Sequence, residues 1–181
     1  MNLFAILHKS VVPHKLPLSL ELRALRQSFD IQYQTTKENL KPQLIEHANQ
    51  QLTFLGKPST ALVLSTLTDW LIKTARHHLS AWIYHLSVEN NLAFTGLSIR
   101  QQRTLWGSCT AKKRINLNYK LLFLPRDLTE HIILHELCHT VHFNHSRHFW
   151  DLLKQLDPQC QQHRHQLKTA HLFLPPWVKM G

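Results

Sequence analysis

The chain has 181 residues, 43% of them apolar, with a net charge of +10 and 15 histidines. That composition supports one packed core and excludes a disordered or fibrous chain. The three cysteines, Cys109, Cys138 and Cys160, are odd in number and lack CxxC spacing, which excludes a disulfide framework and points to a reducing, cytoplasmic setting.

The first fifteen residues, MNLFAILHKSVVPHK, contain an apolar run with no basic stretch ahead of it and no small-residue cleavage pattern, so they read as neither a signal peptide nor a membrane span. Residues 1–58 form an N-terminal region of mixed signals. Leu22–Tyr33 carries both helical and strand patterns, Gln32–Thr35 reads as strand, and Pro42–Phe54 reads as helix. A turn at Gly56-Lys57-Pro58 separates this region from a catalytic domain over 59–181. Leu67, Leu71, Ala75, Leu79, Trp82 and Leu86 recur at helical spacing and predict a helix over 66–88, ended by Asn90 and Asn91. Leu97–Arg100 and Arg114–Tyr119 read as strands, with Ala111-Lys112-Lys113 in a hairpin loop. Gly107, one of four glycines, marks a place where the backbone bends or approaches another group.

The next helix carries the chemistry. Asp127 and Glu130 have capping-box spacing, and the helix is expected to run to about Phe143 with Asn144 as a left-handed terminator. Ser146 then caps a further helix with an apolar stripe of Phe149, Leu152, Leu153 and Leu156, stopped by Asp157-Pro158. The closing LFLPPWV reads as an extended piece over the core.

Within the first of these helices, His135-Glu136-Leu137-Cys138-His139 is an HExxH pattern. Residues four apart share a helix face, so His135 and His139 can hold one Zn²⁺, while Glu136 lies about 100° round the helix and serves as general base rather than ligand. Composition alone yields about 0.04 chance matches in such a chain. Leu128, His135 and His139 share one face, and Ile133, Leu137 and Val141 lie opposite as anchors. Cys138 points away from the ligands and reads as a buried thiol. A catalytic site needs a third ligand from another direction; His145 is the first histidine after the Asn144 turn, with His142 and His148 as rivals. His131 and His142 flank the metal face.

Around these residues the chain resembles the YgjP-like metallopeptidase family of metal-dependent hydrolases. The resemblance runs from about Leu55 to Trp150. It includes Phe54-Leu55-Gly56-Lys57, Trp70, Ala75-Arg76, Ile99-Arg100, Trp106-Gly107-Ser108-Cys109, Ile115-Asn116-Leu117-Asn118 and Pro125. It ends with the HExxH block followed by Asn144-His145-Ser146 and Phe149-Trp150. Leu105 stands where the family has a basic residue, and the family's Arg-rich N-terminal hairpin is not evident before Leu52. The resemblance implies His145 as third ligand and an α+β, gluzincin-like fold related to the SprT-like proteases, with a short antiparallel sheet packed on the HExxH helix. Arg100, Trp106 and His142 are then candidates to touch substrate or to support the ligands.

Three functions compete at this stage: a zinc-dependent metallopeptidase, a metal-dependent nucleotide or phosphoanhydride hydrolase, and a nucleic-acid-associated protease or binding module. From Asn90 to Arg126 there is no acid, and Arg100, Arg103, Lys112, Lys113, Arg114, Lys120 and Arg126 all lie there. This predicts weak polyanion or nucleic-acid binding. The strand Ile115–Tyr119 is expected to pair with an extended peptide substrate through its edge.

Overall fold

The computed structural model describes residues 16–34 and 42–178; the expectations for the first fifteen residues and for Thr35 lie outside them. Among the described residues seven strands and four α-helices follow in chain order. β1 (Ser19–Leu22), β2 (Gln27–Gln34), β3 (Gln43–His47) and β4 (Gln51–Leu55) form a sheet in the order β1-β2-β4-β3. β2 and β4 pair in parallel and the outer pairs are antiparallel.

Pro42–Phe54 is therefore two strands and not a helix. Gln50 takes a positive φ of 61° in the turn between them, and Leu52 and Phe54 are buried while Gln43, Ile45 and His47 face outward. The connection is a hairpin whose apolar residues, Leu44, Ile45, Leu52 and Phe54, fall at spacings that a window spanning both arms reads as helical period.

α1 (Thr60–Glu89) begins six residues before the apolar signal suggests, because Ser59 caps it by accepting from the Leu62 amide at 3.3 Å. Its stripe of Val63, Leu67, Leu71, Ala75, Leu79, Ile83 and Leu86 is buried. Asn91 closes the helix end at φ 54°. The stripe shares one apolar cluster with Leu20, Phe29, Leu52 and Phe54 of the first sheet and with Leu117, Ile132 and Leu137 further on.

The second sheet holds β5 (Gly96–Arg100), β6 (Gly107–Cys109) and β7 (Arg114–Asn118) in the order β5-β7-β6. It is mixed rather than purely antiparallel: β5 runs parallel to β7, and β6 is antiparallel to it. β7 is central and hydrogen-bonded on both sides, so it offers no edge to a peptide; the edge strands are β5 and β6, and β6 packs on α2 (Arg126–Cys138).

α2 differs from expectation at both ends. It starts at Arg126 after Pro125. Asp127 sits inside the first turn, its Oδ1 accepting from the Leu128 amide, and no capping box forms. The α-helix stops at Cys138, because Thr140 and Val141 turn their amides to the carbonyls three residues back and Thr140 Oγ1 bonds the Leu137 carbonyl. Val141, expected as a core anchor, is exposed; and Asn144 is not left-handed, its Oδ1 accepting instead from the Ser146 amide. The helix is buried on every side from His131 to Cys138.

α3 (Arg147–Leu156) lies where the reading puts it and Asp157 is its C-cap, but Ser146 makes no side-chain cap bond, and of the expected stripe Phe149 and Leu153 are buried while Leu152 and Leu156 are half-buried. α4 (Cys160–Gln166) carries no apolar stripe that would mark it in the sequence. The C-terminal piece is a 3-10 segment (Leu167–Phe173) and a turn that tucks Trp177 and Val178 inward, not an extended strand. No helix among the described residues is long and apolar enough to cross a membrane.

Candidate metal centre

One turn of α2 and the loop after it bring three imidazoles to a point. His135 Nε2 lies 3.2 Å from His139 Nε2 and 3.1 Å from His145 Nε2. Ligands held about 2.0–2.1 Å from a tetrahedral ion stand roughly 3.3 Å apart, so this spacing fits a shared cation. His142 and His148 do not join the group; they stack on each other with centroids 6.0 Å apart.

His142 contributes its backbone instead. Its carbonyl accepts from His139 Nδ1 at 3.1 Å, which fixes the tautomer that leaves Nε2 as the metal-facing lone pair. Phe149, fully buried, holds the rings in place: its centroid is 4.9 Å from that of His135, 4.6 Å from His139 and 4.8 Å from His145. Trp150 stacks on His145 at 5.6 Å, and the Arg164 guanidinium lies over the Trp150 ring.

Electrostatics favours the neutral, ligating form of each histidine. Burial, then the neighbouring His139 and His145, hold His135 well below its usual pKa. Burial also lowers His139 and His145.

Glu136 is buried at 3% exposure, and burial pushes its carboxyl up to about 8. Its Oε2 has no hydrogen-bond partner among the described residues. A buried carboxylate without a partner is costly, and a cation beside it would lower that cost. The chemistry of the donor set therefore fits a divalent ion held by three neutral imidazoles, with a carboxylate in reserve.

The sequence singled out Gly107 without giving its neighbour. A Cβ there would meet Glu136 Cγ and Oε1 at 2.8 Å, so β6 passes directly over the carboxyl. Ser108 and Asn116 bond across the hairpin, and Asn118 Nδ2 donates to the carbonyls of Gln102 and Leu105, pinning the loop into β6. Trp106 is wholly buried beside them. Arg100 ends β5, on the edge of the sheet away from β6, and lines an open cleft with Arg76, Ser80 and Tyr84. Cys138 is buried, its thiol pushed up to about 12 by burial, which agrees with an inert core role.

Two cations of the basic run are drawn inward. Lys120 is buried, its pKa lowered to about 8 by burial, with Nζ 3.4 Å from the Gln102 carbonyl. Arg126 stacks over Trp82 at 4.2 Å and reaches the Ala24 carbonyl. The Arg114 guanidinium lies against Gly96 of β5. Lys112 and Lys113 remain exposed at the hairpin tip.

A second cluster was not foreseen. Asp157 Oδ2 accepts from His131 Nδ1 at 2.6 Å and from His163 Nδ1 at 2.8 Å, with all three side chains buried. These separations are shorter than those between co-ligands of one ion and match charge-assisted hydrogen bonds. The cluster ties α2, the end of α3 and α4 together. Only tertiary proximity joins residues so far apart, and no spacing signal marks them.

Two histidines of one helix, a third from the following loop and a buried carboxyl under a strand form a group that could hold a metal ion, as a metal-dependent hydrolase requires. The chain belongs to the YgjP-like family: the YgjP-like metallopeptidase domain matches residues 9–170, reaching well into the N-terminal sheet. No curated protein and no solved structure matches it.

Proposed function

We propose that this protein is a zinc-dependent metallopeptidase in which His135, His139 and His145 hold the ion and Glu136 is the general base. The carrying observation is the convergence of three Nε2 atoms beside a buried carboxyl that has no hydrogen bond on Oε2. Bound Zn²⁺ supplies a Lewis acid that makes water acidic and polarises a scissile carbonyl. Glu136 accepts the proton of the attacking water and passes it to the leaving amine. Its raised affinity for protons, reduced by a nearby cation, suits a group that must both take and return one. The His142 carbonyl and Phe149 keep the imidazoles oriented. An extended peptide pairs with the free edge of β6, which brings its backbone past Glu136.

The test is a substrate screen of zinc-loaded protein, with unstructured peptides and nucleoside triphosphates side by side and Glu136→Gln as the blank. Glu136-dependent peptide cleavage is expected. Turnover of nucleotides alone would replace this reading with phosphoanhydride hydrolysis.

A further inference from the structure

The edge of β6 connects two opposite charges. Trp106 O accepts from the Asn118 amide at 2.8 Å, and the Thr110 amide donates to Arg114 O at 2.9 Å, so the even-numbered residues face β7. In an antiparallel ladder the alternate residues then turn their N–H and C=O groups outward; these are Gly107 and Cys109. Among the described residues no strand pairs with that side. At one end Gly107 sits on Glu136. At the other the hairpin turn carries Lys113, whose amide bonds the carbonyl of Thr110, the residue after Cys109.

The backbone of Lys113 is held in place. It occupies the left-handed region at φ 57°, its amide bonds the Thr110 carbonyl at 2.8 Å, and its own carbonyl accepts from the Thr95 amide at 2.9 Å. Neither Lys112 nor Lys113 has an ion pair among the described residues. From Asn90 to Arg126 the chain offers no acid to neutralise them.

Resting on the metallopeptidase reading, we propose that the β6 edge selects an extended acidic peptide, whose carboxylate side chain lies two or three residues from the one opposite Gly107 and is bound by Lys113. The offset follows from the strand rise of about 3.3 Å per residue, which puts the hairpin tip roughly 10 Å from Gly107. Open main-chain donors and acceptors match a peptide backbone. A nucleic-acid backbone carries no N–H donors to meet the outward carbonyls of Gly107 and Cys109, and Lys120 and Arg126 of the basic run are turned elsewhere.

The test uses zinc-loaded Glu136→Gln protein and fluorescein-labelled octapeptides that differ only by Glu or Gln at one position, read by fluorescence anisotropy. The Glu peptide should bind about threefold to fivefold tighter at low salt, the range expected for an exposed ion pair. The preference should shrink with added salt, vanish in the Lys113→Asn background and persist in Lys113→Arg. In parallel, wild-type cleavage products sized by mass spectrometry should place the cut at a fixed offset from the Glu. Equal affinity for both peptides, a preference surviving Lys113→Asn, or a single-stranded oligonucleotide of equal charge out-competing the acidic peptide would each overturn the inference. If wild type still cuts peptides in those cases, the peptidase reading stands. If no peptide is cut while the Lys113-dependent preference holds, it is the peptidase reading that fails.

Discussion

Gly107 and Glu136 are in contact: a methyl group on Gly107 would lie 2.8 Å from both Cγ and Oε1 of the buried carboxyl. The glycine has no positive φ to accommodate, so its role is close approach rather than backbone freedom. Gly107→Ala should therefore displace Glu136 while leaving the three histidines where they are. Turnover should fall at least about a hundredfold, within the range for losing a positioned base, with zinc content near wild type. Wild-type activity in the variant would show that Glu136 can move without consequence.

The buried carboxyl also sets a pH dependence of stability in metal-stripped protein. Burial raises Glu136 from 4.5 to about 8 in the folded state. Between those values the native state binds more protons than the unfolded state, so stability falls as pH rises through that window. Glu136→Gln removes the group, and the apo variant should be more stable than wild type at pH 8 by about 2–4 kcal/mol, the difference closing towards pH 4. Denaturant melts at several pH values measure this directly, and a gap independent of pH contradicts the assignment. Zinc should narrow the gap, since a cation favours the ionised carboxylate.

Much of the site was legible because its signal is local. His135, Glu136 and His139 are fixed relative to one another by helix geometry, whereas position alone leaves His142 and His148 as rivals to His145, which the family resemblance favours. The parts that were not legible depend on contacts between distant residues. The amide of His142 points back into the last turn and its carbonyl onto His139, a backbone role that no side-chain pattern reveals. Lys120 and Arg126 belong to a basic run by sequence, yet one is interior and the other covers Trp82. The β3–β4 hairpin fails in the reading for a different reason: two short strands joined by a left-handed Gln50, with no glycine, asparagine or aspartate pair to mark a tight turn, present a helix-like spacing of apolar residues.

The Asp157 cluster should act as a stability element outside the chemistry. Burial raises the Asp157 carboxyl, but hydrogen bonds from His131 and His163 outweigh this and leave it below its usual value. A carboxyl depressed in the folded state stabilises above its ordinary pKa, and that stability is lost as pH falls through the folded value. Asp157→Asn leaves a buried imidazole N–H without its charged acceptor and should cost about 1–3 kcal/mol at pH 7. In metal-stripped protein the variant should also lose less stability on acidification than wild type. An unchanged melting midpoint at pH 7 would show that the cluster contributes nothing.

The assignment of the third ligand is the most direct point to test. His135 and His139 approach one point from a single helix, and a tetrahedral ion needs a donor from another direction. His145 is placed to supply it: its Nε2 is 3.1 Å from that of His135, and its ring packs against Phe149 and Trp150. His142 sits between the two ligating segments in sequence, but its ring faces His148 and only its carbonyl serves the centre. His145→Ala should thus weaken zinc binding by more than about a hundredfold, beyond what losing an outer hydrogen bond costs. His142→Ala keeps the carbonyl that accepts from His139, and His148→Ala removes only the stacking partner, so both should retain close to one zinc per chain. Metal analysis after dialysis against a competing chelator separates these outcomes. Full occupancy in His145→Ala, or loss confined to His142→Ala or His148→Ala, would mean that the three Nε2 atoms do not share an ion.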